Sequence, residues 1–190
     1  MTDSNLAQSL HATAAHIAAQ TDLFDVAVPF SPGPGTNDAA LAQVEQQVGV
    51  TLSAELRVAT LELAGTRWHW SLKQELEEEW DADVCGASGG AHWLAPEEML
   101  EARARLASAE SRLGVPLLPF AKDAGGATSW LAVAVLDGRT LVVQASRDGA
   151  VERWGLEAFL DGWAAGGFRI ADRWEDQPDS VVEHLSEELG

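Results

Sequence analysis

The dipeptide Asp137-Gly138 stands between two apolar runs, Ser129–Leu136 and Thr140–Ala145. A two-residue loop of type I′ needs positive φ at both positions, and Asp-Gly tolerates that pair. The two runs are therefore expected to form an antiparallel hairpin. Arg147-Asp148-Gly149 turns the chain again, into Val151–Trp154. Upstream, Leu117–Phe120 reads as a strand that enters a turn at Asp123-Ala124-Gly125-Gly126. Strands that follow one another through short turns form an antiparallel sheet, because parallel pairing needs long crossovers.

The rest of the chain is punctuated for helices. Leu6, Leu10, Ala14 and Ile17 follow helical spacing within the alanine-rich residues 4–20, with Ser4 as a cap. Asp38 can cap a helix whose face is Leu41, Val44 and Val48, ending at Gly49. Ser53 can cap another, with Leu52, Leu56, Ala59 and Leu63 on one side and a stop at Gly65. Trp68-His69-Trp70 and Ala91–Leu94 read as short strands. Pro96, Glu97 and Glu98 suit the first turn of a helix reaching Leu113, stopped by Gly114. A last helix spans Leu156–Ala165 and presents Phe159, Leu160 and Trp163. The expected class is α+β: one domain with an antiparallel sheet and helices packed on it.

Ser31-Pro32-Gly33-Pro34-Gly35-Thr36-Asn37 is the densest breaker cluster in the chain. It predicts a boundary: an N-terminal helix and linker over 1–37, a main domain over 38–172, and an acidic tail over 173–190. On this reading residues 38–165 fold without 1–37.

Thirty acidic residues against twelve basic ones give a formal charge of −18. Nucleic acid and anionic membrane need Lys and Arg to neutralise phosphates, so neither is expected as a partner. A basic protein fits better, since complementary charge speeds encounter and penalises wrong partners. No Lys or Arg precedes Arg57, which leaves no basic region for a secretory signal. No apolar run approaches the roughly 20 residues of a membrane span. Cys85 is the single cysteine, so no intrachain disulfide forms. These features predict cytoplasmic residence.

The acidity is concentrated. Glu75, Glu77, Glu78, Glu79, Asp81 and Asp83 place six carboxylates in nine positions, with Trp80 among them. Such a field resembles phosphate to a protein built to hold nucleic acid, and Trp is enriched at interface hot spots. The competing reading is a solvated loop. Eight tryptophans occur without a tyrosine. Trp130 and Trp163 fall at core-like positions, whereas one of Trp68, Trp70 and Trp93 is a candidate for exposure and binding.

Nothing in the sequence makes a convincing active site, metal site or cofactor site. His11 and His16 are five apart, which is not the i, i+4 spacing of a helical metal pair. Cys85, His69 and His92 make a weak Cys–His candidate, because the negative field beside Cys85 raises a thiol pKa. The glycine-rich stretches match neither the dinucleotide nor the P-loop pattern.

Three phrases resemble the SUKH superfamily. The first is Val44–Leu56, a Glu-bearing helix followed by Gly, a Leu step and a second helix; Ser53 stands where the family usually has Pro, and Ala64-Gly65 replaces Asn-Gly at that helix's end. The second, Leu117-Leu118-Pro119-Phe120-Ala121-Lys122-Asp123-Ala124-Gly125-Gly126, is similar to the family's central segment. The third is the hairpin closing in Trp154–Leu160. The superfamily includes Syd-like proteins, bacterial immunity proteins and a fungal cell-wall-synthesis regulator. The resemblance covers about residues 38–165 and implies non-catalytic binding without a cofactor. It points to a bacterial immunity protein that neutralises a secreted toxin, or else to a regulatory or scaffold adaptor.

Overall fold

The structure is a computed structural model of the 190-residue chain and describes residues 6–73, 88–123, 129–146 and 151–165. The hairpin at Asp137-Gly138 forms as its chemistry dictates. Asp137 has φ 51° and Gly138 has φ 75°. Leu136 pairs with Arg139 directly across the turn. This hairpin joins β6 (Ser129–Leu136) to β7 (Arg139–Ser146). β5 (Leu118–Asp123) lies on one side of the pair and β8 (Val151–Gly155) on the other.

The sheet continues beyond β5 through β4 (Ala91–Trp93), β2 (Arg67–Leu72) and β1 (Phe24–Ser31). β3 (Ser88–Gly89) also pairs with β2. The eight strands pair antiparallel throughout. The fold is thus α+β, with one antiparallel sheet and helices packed on it. No helix among the described residues is long and apolar enough to cross a membrane.

Among the described residues six helices accompany the sheet: α1 (Leu6–Ala19), α2 (Asp38–Val48), α3 (Ala54–Leu63), α4 (Pro96–Arg105), α5 (Ala107–Leu113) and α6 (Leu156–Ala165). The join between sheet and helices is aromatic. Trp93 on β4 donates its indole N–H to Thr60 Oγ1 on α3, at 3.1 Å. Its ring lies 5.6 Å from Trp163 of α6 and 5.6 Å from Phe120 of β5. Phe159 links Trp163 to Trp154 at 5.7 and 5.6 Å. A buried indole needs a partner for its N–H, and Thr60 supplies one without adding a charge.

Caps follow local chemistry, with one shift from expectation. Asn37, not Asp38, caps α2: its Oδ1 accepts from the Ala40 N–H at 2.9 Å. Asp38, released from capping, bonds Arg57 of α3 at 2.9 Å. Gly49 ends α2 in the left-handed region at φ 79°. Ser53 caps α3 as expected, accepting from the Leu56 N–H at 3.3 Å. The helix expected over Pro96–Leu113 is two helices. Leu106 sits between them at φ −97° and ψ 11°, and its N–H donates to Arg103 O rather than one residue further back. Glu110 spans the joint, accepting from Arg103 Nε and from the Leu117 N–H, each at 2.8 Å.

Glu45 holds the α2–α3 corner. It is 8% exposed, and its Oε1 accepts from the Leu52 N–H at 2.9 Å. Its Oε2 pairs with the Arg57 guanidinium. Glu45→Ala leaves a buried N–H and a half-buried cation without their acceptor. A loss of about 2 kcal/mol is expected, the lower part of the range for orphaned buried groups because Arg57 still reaches Asp38 and water. Urea denaturation measures it; a change within about 0.5 kcal/mol, as at an ordinary surface site, would deny Glu45 this role.

The stretch expected as an extension and linker is built into the same sheet and core. Leu6, Leu10 and Ile17 are fully buried, and α1 packs on α3, β1 and α6. β1, which the sequence pattern does not announce, pairs with β2 through Phe24↔Leu72, Asp25↔Ser71, Val28↔His69 and Ser31↔Arg67. The Pro-Gly segment is tied to the end of α3. The Gly33 N–H donates to Thr66 Oγ1 at 2.9 Å, the Gly35 N–H to Ala64 O at 3.1 Å and the Thr36 N–H to Leu61 O at 2.9 Å.

Candidate functional site

Strand directions place the connections. β2 ends at Leu72, and the Lys73 N–H then donates to Leu23 O at 3.0 Å. The chain re-enters the sheet at Ser88, which pairs with Ser71, while Gly89 pairs with Trp70. Residues 74–87 therefore join two strands that are already neighbours. A hairpin needs about two to five residues for that purpose. The remaining length is not required to close the sheet.

The register extends the picture across the sheet. Ala91 pairs with Asp123, Ser129 with Ser146, and Ala145 with Val151. Connections 74–87, 124–128 and 147–150 thus all leave from one end of the sheet. The Asp137-Gly138 turn and the Ala95–Pro96 entry to α4 lie at the other end.

The residues singled out for partner binding, Glu75, Glu77, Glu78, Glu79, Trp80, Asp81 and Asp83, lie outside the described residues, as do Cys85 and the acidic tail 173–190. Their described anchors, Lys73 and Ser88, fix where the segment leaves and returns.

Expectations for the tryptophans divide. Trp130 and Trp163 are core residues. Trp68, Trp70 and Trp93 are 1%, 0% and 1% exposed, so none of the three is available as a binding face. Trp68 and Trp70 alternate with exposed Arg67 and half-buried His69 and Ser71. Their shared side faces Phe24 and Phe30 of β1, at ring distances of 5.3 and 6.4 Å. β1 is the element missing from the sequence pattern, which left one of the three indoles as a candidate for exposure.

His11 and His16 of α1 have local partners. His11 lies on the Phe30 ring at 4.8 Å and 3.8 Å from Glu62. His16 is 3.2 Å from Gln20. Among the described residues no three His, Cys, Asp or Glu side chains are grouped to hold a metal ion.

One polar cluster escaped the sequence reading. Arg67, His92 and Lys122 are register neighbours on β2, β4 and β5. Glu98, in the first turn of α4, reaches back to this row. Its Oε2 accepts from the Ala95 N–H at 3.0 Å and lies 3.1 Å from His92 Nε2, while its Oε1 lies 3.4 Å from Arg67 Nη2. Burial pushes the His92 pKa below its ordinary value, Arg67 and Lys122 push the same way, and Glu98 opposes them. Burial alone would raise Glu98, but the Ala95 N–H, His92 and Arg67 together hold it below the usual carboxylate range. Glu98 was legible as a favourable first-turn acid; its meeting with Arg67, 31 positions away, and with His92 was not.

Comparison with protein-family models, with curated protein sequences and with solved structures gives no match for this chain.

Proposed function

We propose that this chain is a non-catalytic, SUKH-like binding domain of the cytoplasm that neutralises a secreted bacterial toxin through its acidic segment. One observation carries the reading. Six carboxylates, unrelieved by any basic residue, occupy a connection between two directly paired strands. Chain that a fold does not need for closure, and that carries charge of one sign, is where binding is commonly placed. The family phrases add support, since Glu45 of the first bonds Leu52 within the same phrase. The second forms β5, in the middle of the sheet order.

The partner fitting this surface is a basic toxin domain of the kind that grips nucleic acid. Charges outside the desolvated centre act mostly on encounter, and an aromatic anchor acts mostly on escape. Charge reversal at Glu77, Glu78 and Glu79 should therefore lower the association rate more than it raises dissociation. Trp80→Ala should raise dissociation. The association rate should also fall with salt as the Debye length contracts from about 30 Å at 0.01 M to about 3 Å at 1 M. Surface plasmon resonance against a toxin-like C-terminal domain encoded immediately upstream, where such a gene is found, separates the two effects; its absence favours the adaptor. A triple Lys variant that binds like the parent removes the segment from the interface. A chain that captures no neighbouring gene product but holds a cellular protein is instead an adaptor.

A further inference from the structure

His92 Nε2 faces two groups that want opposite things from it. Arg67 Nε, an N–H donor, lies 3.3 Å away, and Glu98 Oε2, an acceptor, lies 3.1 Å away. One ring nitrogen carries either a lone pair or a proton, so it serves one of them at a time. We propose that His92 is a proton-operated latch: neutral, it accepts from Arg67 Nε–H, and protonated, it turns its Nε2–H to Glu98 and leaves the Arg67 guanidinium held by Glu98 alone.

The surroundings make the two states distinct. His92 is 4% exposed, so water does not readily replace either partner. Arg67 on β2 is 61% exposed, so water takes its Nε–H once His92 no longer accepts it, while Nη2 stays 3.4 Å from Glu98 Oε1. The charged groups turned toward the imidazole are Arg67 from β2, Lys122 from β5 and Glu98 from α4. Two cations oppose its protonation and one carboxylate favours it.

The pH window follows from the directions of the shifts. His92 is lowered in the folded chain, so the unfolded chain takes the proton first as pH falls. The stability from neutral His92 is fully present above about pH 6.5 and is lost as pH falls through its lowered folded value. Glu98 is also lowered, and it remains ionised below the usual carboxylate range. An imidazolium formed in this window therefore meets a carboxylate able to accept from it.

The latch also has a place in the fold. Arg67 is the register partner of both Ser31 on β1 and His92 on β4. Its neighbour Thr66 accepts from the Gly33 N–H. Protonation therefore acts where the N-terminal strand and strap meet the centre of the sheet. This is the end of the sheet away from residues 74–87.

The test is nitrogen NMR of the full chain, with labelled His and Arg, from pH 8 to pH 5. At pH 8 the His92 Nε2 resonance should be that of an unprotonated nitrogen. On acidification Nε2 should gain its proton with a midpoint below about 6.5, and the Arg67 Nε nitrogen should change its chemical shift in the same transition as it loses its acceptor. Arg67→Gln should raise that midpoint and Glu98→Gln should lower it; Arg67 is exposed, and the glutamine amide at position 98 still offers an oxygen to the Ala95 N–H. The thermal midpoint of the parent should begin to fall in the same window. An Nε2 already protonated at pH 8 overturns the latch, as does an Arg67 signal that passes through the transition unchanged.

Discussion

Gly90→Ala is expected to deplete the folded protein. Gly90 joins β3 to β4 and has φ +103°, a conformation that L side chains rarely adopt. A Cβ placed there would lie 2.2 Å from Trp68 O, 2.7 Å from Trp68 C and 2.8 Å from His69 Cα. All three are backbone atoms of β2, so no side-chain rotation relieves the overlap. Relief requires β2 and β4 to part, and Arg67↔His92 is the register pair between them. The cost is expected to reach about 4 kcal/mol, the level at which a single substitution marks a specific structural fault. A domain holds only about 5–15 kcal/mol in total. Gly49→Ala is the matched control. Its φ is +79°, but nothing lies within 4 Å of the added carbon. That variant should lose about 1–2 kcal/mol, from backbone strain alone. Urea titration of both separates strain from overlap, and equal losses would show that the close approach of β2 has no energetic weight.

Gly90 also shows how legibility divides. Local chemistry was readable wherever the partner lies nearby in sequence. The Asp137-Gly138 turn, the Ser53 cap, the Leu52–Leu63 face and the bounds of α6 each depend on residues a few positions apart. The two-residue β3 carries too few side chains for a periodic signal and exists because β2 presents backbone groups to pair with; β4 forms within the short strand expected over Ala91–Leu94. The Arg67–His92–Glu98 cluster was hidden for the same reason: cross-strand register sets it, not spacing. The acidic segment was legible as composition, whereas its anchoring between paired strands needed the register of Ser71 with Ser88.

The Pro-Gly cluster is the instructive misreading. Gly and Pro do mark breaks, and a break between two helices reads naturally as a linker. Glycine equally marks places where two backbones meet with no room for a Cβ. A Cβ on Gly33 would lie 2.2 Å from Ala64 O, and one on Gly35 would lie 2.6 Å from Leu61 O. Both glycines lie against the C-terminal end of α3, whose carbonyls lack partners within the helix. Residue type alone does not distinguish the two uses.

Removal of residues 1–37 tests the consequence. The sequence pattern by itself predicts an independent unit from residue 38 onward; the structure leads to the opposite expectation. The deletion strips Leu6, Leu10, Ile17, Leu23 and Phe24 from the core, all of them buried. At roughly 1.5–3 kcal/mol for each large apolar side chain, their combined burial rivals the roughly 5–15 kcal/mol that holds a domain together. It also removes Phe24 and Phe30 from beside Trp70 and Trp68, so two indoles lose aromatic cover. β2 would become an open edge whose backbone groups invite pairing between chains. Ala64 O and Leu61 O would lose the N–H groups of Gly35 and Thr36. The 38–190 chain is therefore expected to aggregate or to melt without a cooperative transition. Adding the 1–37 peptide in trans should restore part of the transition, because the groove on α3, α6 and β2 is shaped for it. Calorimetry of the full chain, of 38–190 and of the mixture decides between the two readings. If 38–190 melts cooperatively within a few degrees of the full chain, the N-terminal helix and strand are ornaments on a self-sufficient domain.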